Sequence, residues 1–345
     1  MPARILCAMK LILAPMAALS HSGLRRLIAI FGEPDEYFSE MIHAPSTVSG
    51  GGFEKWYFRT APSPEKLVWQ ITSPAAEPAA KAVPVLLKHG GIGIDLNMGC
   101  AAPQIVSTGA GFAWMKKPLT ETAELVRLVK KAVLEYEKTK EAPRLQPIRL
   151  SVKLRLGETD DYAFLLRFCK MLTDEGAELI TLHPRTRKQS YSRSCRHEYT
   201  ARFAADLPVP VYGSGDIGSA EAALGFNTKY KCAGWMIGRA AVQKPWIFYA
   251  VRAAENAAQP FTSDLPHIDL LKTAADFLHF LKEEQPPEFH LTRAKRFFNF
   301  YCDNCTFAHH IKTKILNCPS CDAMYARLEE YFGEVPQDRF TATLA

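Results

Sequence analysis

The sequence lacks a long apolar run. Its longest early stretch, Leu11 to Leu19, is cut by Pro15 and is too short to cross a bilayer. No small-residue cleavage site follows a proper apolar leader, so neither a membrane span nor a secretory signal is expected. Met9-Lys10 reads as the start of the folded chain, with residues 1–8 an upstream extension. A paired cysteine framework is missing as well. The nine cysteines are odd in number and mostly scattered, which argues against disulfides and for a reducing, cytoplasmic setting. Low-complexity tracts are absent, and nothing points to an obligate protein partner. The first candidate strand is followed by Ala14-Pro15-Met16-Ala17 rather than a glycine-rich turn, which disfavours an open dinucleotide-binding sheet. The formal net charge of +6 is modest and favours an anionic partner without identifying it.

What is present is enough for a large core: 345 residues, 48% of them hydrophobic. Eight short apolar segments read as strands: Leu11–Ala14, Tyr37–Ser39, Leu67–Ile71, Ile92–Leu96, Arg149–Lys153, Leu179–Leu182, Val209–Tyr212 and Trp235–Ile237. Amphipathic stretches lie between them, over 22–31, 76–89, 120–138, 161–175, 198–205 and 219–225, with another over 242–257 after the last. Strands alternating with helices pair in parallel through crossovers, and eight such units predict a closed (β/α)8 TIM barrel over residues 9–258. From Ile268 to Phe332 only helical patterns remain. A small all-helical C-terminal domain is expected over 266–334, with a fraying tail beyond.

In such a barrel, chemistry collects at the carboxyl ends of the strands. There the sequence places Pro15 and Met16, Gln70, Asn97 and Cys100, Lys153 and Arg155, then His183, Arg185 and Arg187, and last Gly213-Ser214-Gly215-Asp216 and Gly238-Arg239. The two glycine turns follow strands seven and eight, where barrels often cradle phosphate, although ordinary loops would look the same. Lys153 leaves an apolar strand. It reads as a Schiff-base nucleophile, a fixed cation beside a ligand, or a satisfied structural charge. His183 is either a packed hydrogen-bonder or, with Arg185 and Arg187 beside it, part of an anion-facing group.

The stretch from Gly91 to Pro118 organises the rest. A buried strand carrying Asp95 ends in Asn97-Met98-Gly99-Cys100, so a thiol stands just past a strand end. With APM at 14–16, Gln70, DLNMGC at 95–100, VKLRLG at 152–157, HPRTR at 183–187, YGSGDI at 212–217 and IGRAAVQKPWIF at 237–248, the chain resembles the tRNA-dihydrouridine synthases from about Met9 to Phe332. The resemblance implies a barrel with bound FMN that reduces the C5–C6 bond of particular uridines in tRNA, with NADPH as reductant. It would place Pro15, Met16 and Ala17 along the flavin, and Gln70 and Lys153 at its pyrimidine edge. His183 would lie near the ring and phosphate side, and Ser214, Gly215, Asp216, Gly238 and Arg239 would hold the ribityl phosphate. Cys100 would be the proton donor. Asn97 and Arg185 would grip the target base, and Arg187, Arg293 and Lys295 would contact the tRNA. An ordinary thiol is mostly protonated at neutral pH and can donate. The base must leave its stack to react.

Three positions depart from the family pattern. Ala101 stands where proline usually follows the cysteine, with Pro103 two residues on. Pro184 replaces the glycine after the histidine, and Ser214 replaces an asparagine. Cys302-x-x-Cys305 and Cys318-x-x-Cys321 have zinc-compatible spacing, but the segment otherwise reads as a plain helical domain that needs no metal. A flavin barrel acting on a free pyrimidine or an enone, a Lys153 lyase and a non-catalytic tRNA chaperone are the rival readings.

Overall fold

The computed structural model describes residues 9–139, 146–256 and 267–343. Eight principal strands form the expected barrel: β1 (Lys10–Leu13), β2 (Glu36–Phe38), β3 (Leu67–Thr72), β4 (Gly93–Met98), β5 (Arg149–Arg155), β6 (Leu179–His183), β7 (Val211–Ser214) and β8 (Gly234–Ile237). Each pairs in parallel with its neighbours, β2 with β3 and β8 with β1, so no edge is left. A two-residue strand, Ile42–His43, adds to the end of β3. The strands read as continuous apolar runs because both faces are covered. Ile12, Phe38, Val68, Leu179, Tyr212 and Met236 cluster in the barrel interior. The other face of the sheet packs against the surrounding helices. One end of the interior is sealed by charge. The buried Glu36 carboxylate accepts from Arg149 at 2.8 and 2.5 Å and from Tyr212 at 3.0 Å.

Register sets the layers of the pocket. Gln70 pairs with Asp95, Asp95 with Ser151, and Asn97 with Lys153. Polar side chains from three adjacent strands therefore meet near the carboxyl ends, above the apolar interior.

The C-terminal helices are α1 (Leu270–Glu284), α2 (Pro287–Tyr301), α3 (Ala308–Leu316) and α4 (Cys321–Glu334). Asp269 caps α1 by accepting from the Lys272 amide at 3.0 Å, and Ser320 caps α4 the same way at 3.1 Å. Pro287 opens α2 at a first-turn position, where its missing N–H does no harm. The aromatics of this domain are core. Phe277 stacks on Phe297 with ring centres 3.6 Å apart, and the Tyr301 hydroxyl donates to the Leu270 carbonyl at 2.7 Å.

Two expectations change here. From Gly333 to Thr343 the chain does not fray: Phe340–Ala342 pairs antiparallel with His267–Asp269, so the helical domain carries a small ribbon. The Asp338 carboxylate also accepts from the Thr306 amide and hydroxyl at 2.7 and 2.6 Å. The expected boundaries at 258 and 266, and residues 1–8, lie outside the described residues. Among the described residues no helix is long and apolar enough to cross a membrane. No three His, Cys, Asp or Glu side chains converge there to hold a metal, and Cys302, Cys305, Cys318 and Cys321 are buried free thiols.

Candidate active site

Two adjoining cavities open at the carboxyl ends of the strands and share Pro15, Met16, Lys153, His183 and Tyr191. One, about 490 Å3, also contains Ala17, Gln70, Asn97, Cys100 and Arg155. The other, about 580 Å3, contains Ser214, Gly215, Asp216, Gly238 and Arg239. Phe300 and Asp303 reach into the second from the helical domain. The structure thus gathers Cys100 and all eleven residues expected to hold the cofactor around one mouth.

The cysteine loop is tied to the barrel by a run of hydrogen bonds. Ser151 donates to one Asp95 oxygen at 2.6 Å, and Gln70 Nε2 to the other at 2.8 Å. Asn97 Nδ2 donates to Gln70 Oε1 at 2.8 Å. Asn97 Oδ1 accepts from the amides of Gly99 and Cys100 at 3.2 and 2.9 Å. The Asn97 oxygen therefore shapes the turn that presents the thiol, and one N–H on each carboxamide is left over.

Burial dominates the electrostatics. It pushes Lys153 down to about 8, with Asp95 pulling the other way. It pushes Asp95 up to about 6, against hydrogen bonds from Ser151 and Gln70 and the charge of Lys153. Lys153 makes no hydrogen bond or ion pair among the described residues although it lines both cavities. His183 is pushed down to about 2 by burial and by Lys153, Arg155 and Arg185, so its ring is neutral. Its Nε2 lies 3.0 Å from Arg185 Nη1, which donates to it.

The turn after β7 is strained and braced. Gly215 has φ +113°, and a Cβ there would sit 2.4 Å from Cys195 Sγ and 2.8 Å from the His183 ring. Asp216 has φ +58°. Arg185 holds it with contacts of 2.6 and 2.9 Å, and the Cys195 amide adds a third bond at 2.6 Å. Burial works against the charged Asp216 carboxylate, yet these bonds hold it below its ordinary range.

Several expected contacts take a different form. Arg185 is fully buried and lines neither cavity. Its donors go to Asp216, His183, Cys195 Sγ and the Tyr191 and Arg193 carbonyls, so it braces the site from behind and does not reach for a base. Arg187 is half-buried and paired to Glu158 at 2.6 Å. Arg293 is also buried, paired at 2.8 Å with buried Glu40 of the barrel, and is not offered to solvent. Glu40 Oε1 accepts from the Ala18 amide at 2.6 Å as well. Lys295 remains half-exposed. Sequence reading passed over Tyr191, 57% exposed and within 6 Å of the Arg155, Arg185 and Arg239 guanidinium carbons. The signal available was an aromatic residue four positions beyond Arg187.

The sequence pattern of the dihydrouridine synthase (Dus) family matches residues 12–328. The chain belongs to this family of enzymes, the tRNA-dihydrouridine synthases. A probable tRNA-dihydrouridine synthase of Aquifex aeolicus is 28% identical over 329 residues, 93% of this chain and 95% of that protein. The tRNA-dihydrouridine synthase B of Xanthomonas axonopodis is 30% identical over 241 residues, 70% of this chain and 68% of the relative. Among solved structures, the old yellow enzyme homologue of Zymomonas mobilis superposes with a TM-score of 0.51 at 13% identity, covering 81% of this chain and 94% of that one, a likeness of fold alone.

Membership of the dihydrouridine synthases implies a flavin. The residues at the mouth fit one. The half-buried Lys153, with no hydrogen bond or ion pair among the described residues, lines the cavity, and a glycine turn and an arginine line it too.

Proposed function

We propose that the chain reduces particular uridines in tRNA to 5,6-dihydrouridine, using bound FMN that NADPH reduces and Cys100 as proton donor. The observation that carries the reading is the common mouth shared by Cys100, Lys153 and the turns at Ser214 and Gly238.

A flavin held at this mouth would supply the hydride chemistry needed to reduce the uracil C5–C6 bond. Lys153 offers a half-buried cation that would stabilise negative charge on the cofactor's polar edge, and the spare N–H of Gln70 would bind there too. Pro15, Met16 and Ala17 would line the ring, and neutral His183 would lie beside it. The backbone at Ser214 and Gly215, with Gly238 and Arg239, binds the phosphate. Asp216 contributes by holding the turn through Arg185, since a second anion facing the phosphate would repel it. The Cys100 thiol delivers the proton to C5. Asn97 keeps the thiol's loop in place and has one N–H left for the uracil.

The uridine must be drawn out of its stack, so binding energy from the rest of the tRNA must offset unstacking. Lys295 and the other outward cations of the helical domain, with Arg187 at the barrel rim, supply backbone contacts of the salt-dependent kind. Residues up to 256 act as the catalytic unit, and those from 267 on as the tRNA-binding unit.

The decisive experiment maps dihydrouridine in tRNA from cells lacking the gene, then complements with wild type or Cys100→Ala. Loss of specific dihydrouridines, restored by wild type only, is expected. Unchanged dihydrouridine, or full rescue by Cys100→Ala, overturns the activity or the proton donor respectively. Turnover of a free pyrimidine or enone without tRNA would favour the small-substrate flavin barrel.

A further inference from the structure

The loop from Pro184 to His197 follows β6 and carries Arg185, Arg187, Lys188, Arg193 and Arg196 with no acidic residue among them. Three of these cations already have carboxylate partners: Arg185 is paired with Asp216 inside the protein, and Arg187 and Arg196 pair with Glu158 and Asp160 nearer the surface. Lys188 and Arg193 are exposed, and their charged groups have no partner among the described residues. They stand on a cavity of about 570 Å3, together with Thr186, Gln189, Ser190 and Arg196. Every residue lining it is of a polar or cationic type, and none is a carboxylate.

This cavity is separate from the catalytic mouth but built on the same loop. Tyr191, one residue past Ser190, lines both catalytic cavities. The loop is not free to drift. Arg185 binds the Tyr191 and Arg193 carbonyls from beneath at 3.2 and 2.8 Å, and the Gln189 side chain bonds the Ser194 carbonyl at 3.0 Å. Two uncompensated cations thus stand on a braced loop that also carries Tyr191 into the catalytic mouth.

We propose that this pocket binds a backbone phosphate of the RNA strand flanking the extruded uridine, with Lys188 and Arg193 as its charged contacts. The inference rests on the tRNA reading above. A nucleotide turned out of a helix into the mouth carries its own flanking phosphates to the rim, and the rim here is the loop bearing Tyr191. Phosphates of the dinucleotide reductant have the same chemistry. The RNA is favoured because the pocket shares no lining residue with the two cavities of the mouth, where the flavin that takes the hydride would sit.

The test compares wild type with Lys188→Ala/Arg193→Ala, using an unmodified tRNA transcript at 50 to 200 mM salt. Both side chains are exposed and unpaired, so the variant should fold and load flavin normally. Its tRNA affinity should be lower at 50 mM salt, and the deficit should shrink about sevenfold by 200 mM as two single-strand contacts are lost from the salt slope. The charge-conserving Lys188→Arg/Arg193→Lys variant should recover most of the affinity. Flavin reduction by NADPH without tRNA should be unchanged. Wild-type affinity and slope in the Ala variant overturn the proposal, as does a raised KM for NADPH with tRNA binding intact. Failure of wild type itself to bind or reduce tRNA would instead overturn the tRNA reading.

Discussion

The carboxamide oxygen of Asn97 accepts a hydrogen bond from the backbone amide of Cys100 at 2.9 Å. The same oxygen holds Gly99, and the nitrogen end is anchored through Gln70 to Asp95. The thiol is therefore positioned by a side chain on the preceding strand, and the loop's own sequence, with Ala101 in place of proline, supplies less stiffness. Asn97→Ala should lower the rate of tRNA reduction by about 10- to 100-fold, the scale expected when a reacting group is misplaced by about 1 Å. Flavin content should remain near wild type. Combined with Cys100→Ala, it should add little further loss, because on the proposed mechanism both changes remove the same proton delivery. Single-turnover oxidation of the reduced enzyme by tRNA measures this, and fully additive effects would refute the coupling.

Lys153 supports a prediction in which stability and function oppose each other. Its ordinary value of 10.5 falls to about 8 in the folded protein, mainly through burial. The unfolded chain holds the proton more tightly, so the burial cost is fully present below pH 8 and is relieved as pH rises from 8 to 10.5. Lys153→Met should stabilise the flavin-free protein at pH 7 by about 1–3 kcal/mol, with the advantage fading above pH 10. The same variant should bind flavin more weakly. Urea unfolding at pH 7 and pH 10 and a flavin titration test both halves. A destabilised Met variant at pH 7 would show that the ammonium has an internal partner.

His183 gives a pH dependence of the same sense in a lower window. Its folded value is about 2 against 6.5 for an ordinary histidine, chiefly from burial and then from three nearby cations. Below pH 6.5 the unfolded state gains a proton that the folded state refuses, so stability falls with falling pH by up to about 1.4 kcal/mol per unit. His21 and His197 are also held down by burial and add to the slope. His183→Asn should flatten the dependence between pH 6.5 and 4.5 by about one proton's worth. Unfolding curves at three pH values across that window decide it. A slope identical to wild type would mean that the ring is protonated in the folded protein.

The barrel could be read from the chain because both cues are local. Each strand is a short apolar run, and each connecting stretch repeats at helical spacing. The mouth followed from the rule that strand ends carry chemistry, which brought Gln70, Cys100, Lys153 and Ser214 together across 144 residues of sequence. Charge partners were not local. Asp216 lies 31 residues from Arg185, and Glu40 lies 253 residues from Arg293, so no neighbouring carboxylate marked either arginine as internal. For Arg293 a cue did exist: Arg293, Phe297 and Tyr301 recur every fourth residue on one helix face, and all three are buried. The ribbon joining His267–Asp269 to Phe340–Ala342 had no such cue, since two three-residue strands that far apart leave no periodic trace.

The contrast between Arg293 and Lys295 yields the last prediction. Both are basic and sit two positions apart on α2, yet one is sealed against Glu40 and the other is half-exposed. Arg293→Ala leaves the Glu40 carboxylate buried with only the Ala18 amide, and losing one partner of a buried ion pair costs about 3–5 kcal/mol. Its melting temperature should fall sharply, while the salt dependence of tRNA binding, measured where the variant is folded, should match wild type. Lys295→Ala should do the reverse. Its stability should stay within about 0.5 kcal/mol of wild type, as is usual for surface changes. The slope of log affinity against log salt should drop by about 0.7–0.9, the value of one phosphate contact. If Arg293→Ala flattened the slope instead, the helical domain would have to swing away from the barrel when tRNA binds and expose that side chain.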